Sequence, residues 1–419
     1  MKILIQNSIF YPHVIGGAEI STHLLGRELR SRGVEADAVA STGLHGSGTR
    51  FATRPTSDGL GTVYEADAHG YCDLLTTADP QAQPGVLMRG LNHFAAVSSS
   101  RWEKLFVEVL DRSRPDVVHT NTIVGLTPSI WEAARLRGIP VVHTVRDYHL
   151  MCPRTTLLRS DGTDCRNPPL PCRILAGLKR RHTGGLQVVT GMTRYVLQRH
   201  LEAGFFPGAR TEIVPNALEE WPAEIPDRGT GTVRGMYLGQ MAPNKGIAPL
   251  LEALEEIFAD SQCAGFGFDF AGAGRLSEVV REFCDRHPDR ARYHGMISGQ
   301  AKRELLQWSS FMVVPSVWAE PFSRSIIEGF SWGLPAIGSD RGGIPEVITD
   351  GADGLVVTPE PAALGRAVRA LACDHELRRR LGVGARARAA DFTLTGQVDR
   401  FLAIYRDLVQ DGGSHDDQS

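Results

Sequence analysis

A chain of 419 residues is too long for one ordinary hydrophobic core, so two domains or one large α/β unit are expected. Apolar residues make up 42% and charged residues 22%, the balance of a globular protein, and a net charge of −3 gives no global case for a nucleic-acid partner. No run of eighteen apolar residues exists, and in "MKILIQNSIF" the lysine is followed by an unbroken run of only three apolar residues, so neither a membrane span nor a secretion signal is read. Seven cysteines without such a signal suggest a reducing, cytoplasmic setting.

In chain order, "KILIQNS" reads as a short buried strand and "YPHVIGGAE" as a glycine turn. "ISTHLLGRELRSRGVEADAVAS" then gives an amphipathic helix, a stop at Gly33 and a second strand. "PDVVHT" and "IPVVHTV" are further strands, with the helix "PSIWEAARLRG" between them. "RWEKLFVEVLDR" is an amphipathic helix expected to pack on the core. Prolines, glycines and acids cluster in "TEIVPNALEEWPAEIPDRGTGT", and after that break the α/β alternation restarts. "VRGMYLGQ", "GFDFAG", "ARYHGM", "FMVVPS", "PAIGSD" and "DGLVV" read as strands separated by helices. The expected fold class is α/β, with two Rossmann-like doubly wound domains over 1–215 and 216–395. A helix over 396–412 is expected to pack back on the first domain, with a disordered tail over 413–419. Two such sheets facing each other enclose a cleft, and ligands of these sheets bind at the carboxyl ends of the strands.

The stretch "SVWAEPFSRSIIEGF" carries two acids, Glu320 and Glu328. The residue before a proline avoids the helical region, so Pro321 puts Glu320 on a loop, while Glu328 falls in the next helix. Backbone amides around Ser323, Arg324 and Ser325 would open that helix and suit a phosphate. A plain alternative stands beside this: Ser325-x-x-Glu328 fits a capping box, in which Glu328 only closes its own helix start.

The order of motifs resembles the family 4 retaining glycosyltransferases, whose fold is the two-domain GT-B architecture. "EPFSRSIIE" is similar to that family's E-x7-E element, and "GLPAIGSDRGGIPEVI" to the turn and helix that follow it. "LGQMAPNKG", "FAGAG", "YHGMI" and "VVPS" resemble further landmarks in the same order, as do "YPHVIGGAE" and "EIVPNALEE" upstream. The resemblance covers nearly the whole chain. It implies transfer of a hexose from a nucleoside diphosphate sugar to a hydroxyl acceptor, with retention and without a metal or other cofactor. It implies that Glu328 binds the ribose, Glu320 the transferred sugar, and Lys245 and the amides after Phe322 the diphosphate. Gly16 and Gly17 would let backbone approach the donor, with an ordinary strand-to-helix turn as the plain reading. Glu19 beside them reads as an acid favoured by the helix dipole. Base recognition is expected through backbone near Met296 and Ile297.

Two departures qualify the resemblance. Gln240 stands where the family usually has arginine, so a charge is missing and Lys245 or Arg324 would compensate. In "TVRDYHLMCPR", Arg146 takes a position where many members have histidine, beside Asp147; the R-D-Y and C-P-R pattern resembles surface-polysaccharide members. Arg146 either touches sugar or phosphate, or forms a structural network with Asp147. The rivals to a transferase are a nucleotide-sugar epimerase and a non-catalytic nucleotide-sugar-binding protein. A nicotinamide dehydrogenase is set aside, because no G-x-G-x-x-G follows the first strand.

Cys152, Cys165 and Cys172, with His149, offer four zinc-type ligands at irregular spacing, against the plainer reading of free thiols packing a loop. Residues 151–215 carry 10 Lys/Arg against 4 Asp/Glu. Within them, "CRILAGLKRRH" either rests on an anionic membrane or is a solvated basic helix.

Overall fold

The computed structural model describes residues 1–14, 16–41, 52–55, 61–66, 93–94, 97, 100–124, 127–159, 161–219, 221–225 and 232–416. The chain divides into two compact units. Unit 1 holds Met1–Leu157, Cys165–Asn216 and Leu394–Ser419; unit 2 holds Leu158–Asp164 and Ala217–Thr393. Nothing in the sequence signalled that the short stretch Leu158–Asp164 groups with unit 2.

Unit 1 is built on an eight-stranded sheet. Its strands are β1 (Lys2–Gln6), β2 (Glu35–Ser41), β3 (Ala52–Pro55), β4 (Thr62–Ala66), β5 (Val117–Thr120), β6 (Val141–Val145), β7 (Val188–Gly191) and β8 (Arg210–Ile213). Their order is β3-β4-β2-β1-β5-β6-β7-β8. All described pairings are parallel except β3 with β4. The central strands are short apolar runs because a parallel sheet is covered on both faces; every residue of β5, β6 and β7 is buried. The described helices are α1 (Gly17–Ser31), α2 (Ser100–Ser113), α3 (Ser129–Arg135), α4 (Leu170–Arg180), α5 (Arg194–Glu202) and a last helix considered below. As expected for "RWEKLFVEVLDR", α2 buries Leu105, Phe106, Val109 and Leu110.

Unit 2 carries six strands: β9 (Arg234–Leu238), β10 (Gly267–Ala271), β11 (Ala291–Tyr293), β12 (Phe311–Val314), β13 (Ala336–Ser339) and β14 (Gly354–Val357). The order is β11-β10-β9-β12-β13-β14. Numbered within the unit this is 3-2-1-4-5-6, the dinucleotide-binding order, and its direction reverses between β9 and β12. Its helices are α6 (Ile247–Ala259), α7 (Ser277–Arg286), α8 (Gly299–Trp308), α9 (Arg324–Ser331), α10 (Ile344–Val347), α11 (Pro361–Cys373) and α12 (His375–Ala389). Phe268, Phe270, Phe283 and Phe311 fill the core between sheet and helices.

The last helix, α13 (Leu394–Asp416), belongs to unit 1. Val398, Phe401, Leu402, Tyr405 and Leu408 form its buried stripe at helical spacing and join the β1–β2 core. The tail expected from residue 413 therefore begins inside a helix, and residues 417–419 lie outside the described residues.

Candidate active site

In unit 2 the loops that leave β9 and β12 lie side by side, because those strands are neighbours across the reversal of strand order. The β9 loop ends in a 3-10 turn, Pro243–Lys245, followed by Gly246 at φ +73°. A Cβ at Gly246 would stand 1.8 Å from the carbonyl oxygen of Pro315, so only glycine lets this turn press on the β12 loop. The Val317 amide donates to the Asn244 carbonyl at 3.0 Å and fastens the two loops together.

This fastening places Lys245 against Glu320. The Lys245 Nζ donates to Glu320 Oε1 at 2.6 Å and Oε2 at 2.9 Å, and stands 5.1 Å from the centre of the Trp318 ring. Ser316 Oγ and Trp318 Nε1 both donate to Oε2, at 2.7 and 2.9 Å. Glu320 is 7% exposed, so its charge is held by these donors more than by water. Gly342, at φ +63°, backs it; a Cβ there would lie 2.4 Å from the Glu320 amide nitrogen and carbonyl oxygen. The Gly343 amide completes the support by donating to the Glu320 carbonyl at 2.7 Å. Burial, helped by Glu320, pushes the Tyr237 phenol up, and its hydroxyl donates to the Gln240 carbonyl at 2.7 Å.

The next helix, α9, starts at Arg324 with Ser323 as its N-cap residue and no side-chain cap. Ser323 and Ser325 hydroxyls lie 3.1 Å apart. Ser325 is thus inside the helix, and the capping box expected for Ser325 and Glu328 is not formed. Glu328 instead lies between two cations, Arg324 Nε at 3.4 Å and Lys302 Nζ at 3.3 Å. Arg324 also donates to the Ala217 carbonyl at 2.9 Å. One half of such a cap occurs elsewhere: the Gly16 amide donates to Glu19 Oε2 at 2.8 Å at the start of α1. Glu19 therefore acts through a specific bond and not the helix dipole alone. A Cβ at Gly16 would meet nothing nearer than that carboxylate, at 3.9 Å, so local crowding does not explain the glycine. Gly17 is the first residue of α1. Gln240 is exposed, and Met296 is 81% exposed just beyond β11, with Ile297 half-buried next to it.

In unit 1, Arg146 follows β6 and is buried. Its Nε and Nη1 donate to the side-chain oxygens of Asn121 and Asn216, each at 2.7 Å, and Nη1 lies 3.4 Å from Met192 Sδ. Two neutral amides, Asn121 and Asn216, thus accept from Arg146. Asp147 Oδ1 accepts the His149 amide at 2.7 Å, and burial raises its carboxyl above the ordinary value against that bond.

Sequence reasoning missed Lys179 on α4. It is fully buried, and its Nζ bonds the His149 Nε2 at 3.0 Å and the His149 carbonyl at 2.8 Å. Burial lowers this amine to about 7, with Asp147 opposing the shift. Only its four-residue spacing from Leu175 hints at an inward lysine. The His149 Nε2 is thereby engaged by Lys179. Among the described residues no group of three or more His, Cys, Asp or Glu is placed to hold a metal. Cys152, Cys165 and Cys172 are half-buried free thiols. His119 is a satisfied buried histidine, bonded to Tyr405 at 2.6 Å and Thr144 at 2.7 Å.

Two doubly wound units, one of them carrying a lysine, an anchored carboxylate and an uncapped helix start at its switch point, define a GT-B glycosyltransferase. Family models agree: "Glycosyl transferase 4-like domain" matches residues 16–217 and "Glycosyl transferases group 1" residues 233–374. The chain belongs to this glycosyltransferase family and is an enzyme of that class. It is 26% identical over 411 residues to a glycogen synthase of Mycobacterium tuberculosis, covering 95% of this chain and 91% of that one. It is 24% identical over 348 residues to an uncharacterized 42.6 kDa protein of the Klebsiella pneumoniae cps region, covering 83% and 87%. Among solved structures, a sucrose-phosphate synthase from Thermosynechococcus elongatus superposes with a TM-score of 0.73 at 17% identity, over 97% of this chain and 98% of that one. Anabaena HepE in complex with UDP does so at 0.67 and 17%, over 97% and 100%. At those identities the structural likeness is one of fold. No described helix is long and apolar enough to cross a membrane.

Proposed function

We propose that this chain moves a hexose from a nucleoside diphosphate sugar to a hydroxyl acceptor on a glycan, a lipid-linked sugar or a natural product. The transfer retains anomeric configuration and needs no metal. The observation that carries this reading is the Lys245–Glu320 pair beside the uncapped start of α9. A departing diphosphate gathers negative charge, and a fixed cation with backbone donors stabilises it. Lys245, Arg324 and the amides of Ser323 and Ser325 take the diphosphate; Glu320 takes sugar hydroxyls. Glu328 accepts from the ribose, since a carboxylate suits two hydroxyl donors. Backbone at Met296 and Ile297 meets the base. Gln240 adds no charge, so Lys245 and Arg324 supply the charge toward the diphosphate, with Lys302 beside Glu328. Arg146 and Asp147 serve the sugar or acceptor. The bond from C1 to the diphosphate oxygen breaks, the acceptor oxygen bonds C1 on the same face, and its proton passes to the leaving phosphate oxygen.

The complexes of Anabaena HepE with UDP and with UDP-glucose support a nucleotide-sugar donor. The reading also takes the protein to be cytoplasmic, where such donors are made. A panel of nucleotide sugars, scored by thermal stabilisation and by sugar release or transfer with and without EDTA, tests it. The expected result is one preferred donor, EDTA-insensitive turnover and a product of unchanged anomeric configuration. Stabilisation without turnover would instead mean a binding protein, and an epimerised donor would mean an epimerase.

A further inference from the structure

Helix α4 (Leu170–Arg180) has its polarity reversed. Only Leu175 and Lys179 are fully buried, and Lys179 points inward to bond His149 twice. At 100° per residue Lys179 lies opposite Leu170, while Leu170, Ile174 and Leu178 follow one another along the outer side. Leu170 is 65% and Ile174 48% exposed. A helix that merely covers a core turns its aliphatic stripe in and its lysines out. Leu178 separates two shallow hollows, one of about 550 Å3 reaching Ile174, Arg180 and Arg181, the other reaching Phe94, Arg181 and His182. Phe94 is 38% exposed and extends the apolar surface.

Charge on this segment is one-sided. From Cys165 to Leu201 there are seven Lys/Arg and no Asp or Glu. Arg173, Arg180 and Arg181 are exposed beside the apolar stripe. Arg180 spends one donor on the Ala203 carbonyl, at 3.0 Å, and is otherwise exposed. Short aliphatic side chains flanked by arginines match the boundary of an anionic bilayer, where phosphates lie beside acyl chains. A peptide partner would need acids to meet these arginines as well as apolar anchors, in a fixed register; a headgroup layer supplies both without register.

We propose that the outer face of α4 docks this protein on an anionic lipid surface, with Leu170, Ile174 and Leu178 entering the headgroup boundary and Arg173, Arg180 and Arg181 pairing with lipid phosphates. The docked helix is bonded through Lys179 to His149, whose amide holds Asp147, so the loop after β6 is fixed relative to the membrane. The docking is independent of donor chemistry and is measured without any donor.

The test is flotation of the full-length protein with vesicles of phosphatidylcholine alone and of phosphatidylcholine with phosphatidylglycerol. Binding is expected only to the anionic vesicles and is expected to fall steeply with salt. Each of Arg173→Gln and Arg181→Gln should weaken it about fivefold. Ile174→Glu combined with Leu170→Glu should abolish it while leaving donor-dependent thermal stabilisation unchanged. Equal binding to neutral vesicles, wild-type binding by the double glutamate variant, or full competition by inorganic phosphate would each overturn the proposal. So would no binding at all, which would leave the face to a protein partner.

Discussion

The Lys245–Glu320 pair allows a structural role to be separated from a chemical one. Lys245→Met strands Glu320, 7% exposed in the native chain, with Ser316 and Trp318 as its remaining side-chain donors among the described residues. Breaking a buried pair by removing one partner costs about 3–5 kcal/mol. The Lys245 side chain keeps 21% of its surface in water, so a discounted loss of about 2–3 kcal/mol is expected in urea unfolding. Adding Glu320→Gln should restore at least half of it. Both donors reach Oε2, which an amide oxygen replaces, and the oxygen lost is Oε1, nearest the missing lysine. Turnover should behave differently: with the lysine charge absent from both variants, kcat/KM should stay about 100- to 1,000-fold down in each. A double variant no more stable than Lys245→Met would refute the stranded carboxylate as the cause. One that regains turnover would refute the use of the lysine charge on the leaving group.

Gly342→Ala should displace Glu320, because φ is +63° and the new Cβ would stand 2.4 Å from its backbone. About 2 kcal/mol of stability and at least tenfold in turnover should be lost. Gly351→Ala, equally left-handed but with nothing within 4 Å, should cost about 1 kcal/mol and leave turnover alone. Equal turnover losses in the two would show that backbone strain alone, and not Glu320, is responsible. Acid should loosen unit 1, where burial holds His143 down to about 3 and His200 to about 4. Between those values and about 6.5 the unfolded chain binds more protons, so stability is complete above that range and drains as pH falls. At about pH 5 each histidine removes about 2 kcal/mol, and His119 and His149 act in the same direction. A urea midpoint that does not move between about pH 8 and about pH 5 would contradict this sign.

The alternation of unit 2 was legible because its strands are buried on both faces and so read as unbroken apolar runs, as in "FMVV". β8 was not, since "RTEI" is an edge strand with its first two residues exposed and carries no such run. β3, β4 and β7 were missed as well, although "QVVTG" holds the β7 signal in plain form. Of the site, the loop position of Glu320 followed from Pro321. So did the helix position of Glu328, but not its partners, because a Ser-x-x-Glu pattern caps a helix only if the serine is its N-cap residue, and α9 starts two residues too early for that. An inward lysine on a basic helix is likewise barely marked in sequence, by its spacing from Leu175 alone. Its burial depends on His149, which lies 30 positions away in the chain.

The contact between Lys245 and Glu320 spans 75 positions, and no local pattern contains it. It follows from three features that are each visible separately. Strand order makes β9 and β12 neighbours; Gly246 lets the β9 loop touch Pro315; Gly342 sets Glu320 from behind. Gln240 lies on the same β9 loop and carries no charge of its own. Lys245 is the cation fixed directly on Glu320, and on the proposed function the glycines that position it serve the chemistry as well. Gln240→Arg should therefore relax the dependence on Lys245. In the Lys245→Met background it should recover part of the lost kcat/KM without recovering the lost stability, since an arginine on the exposed β9 loop leaves Glu320 still without its partner. Recovery of both, or of neither, would show that the two positions do not share one electrostatic task.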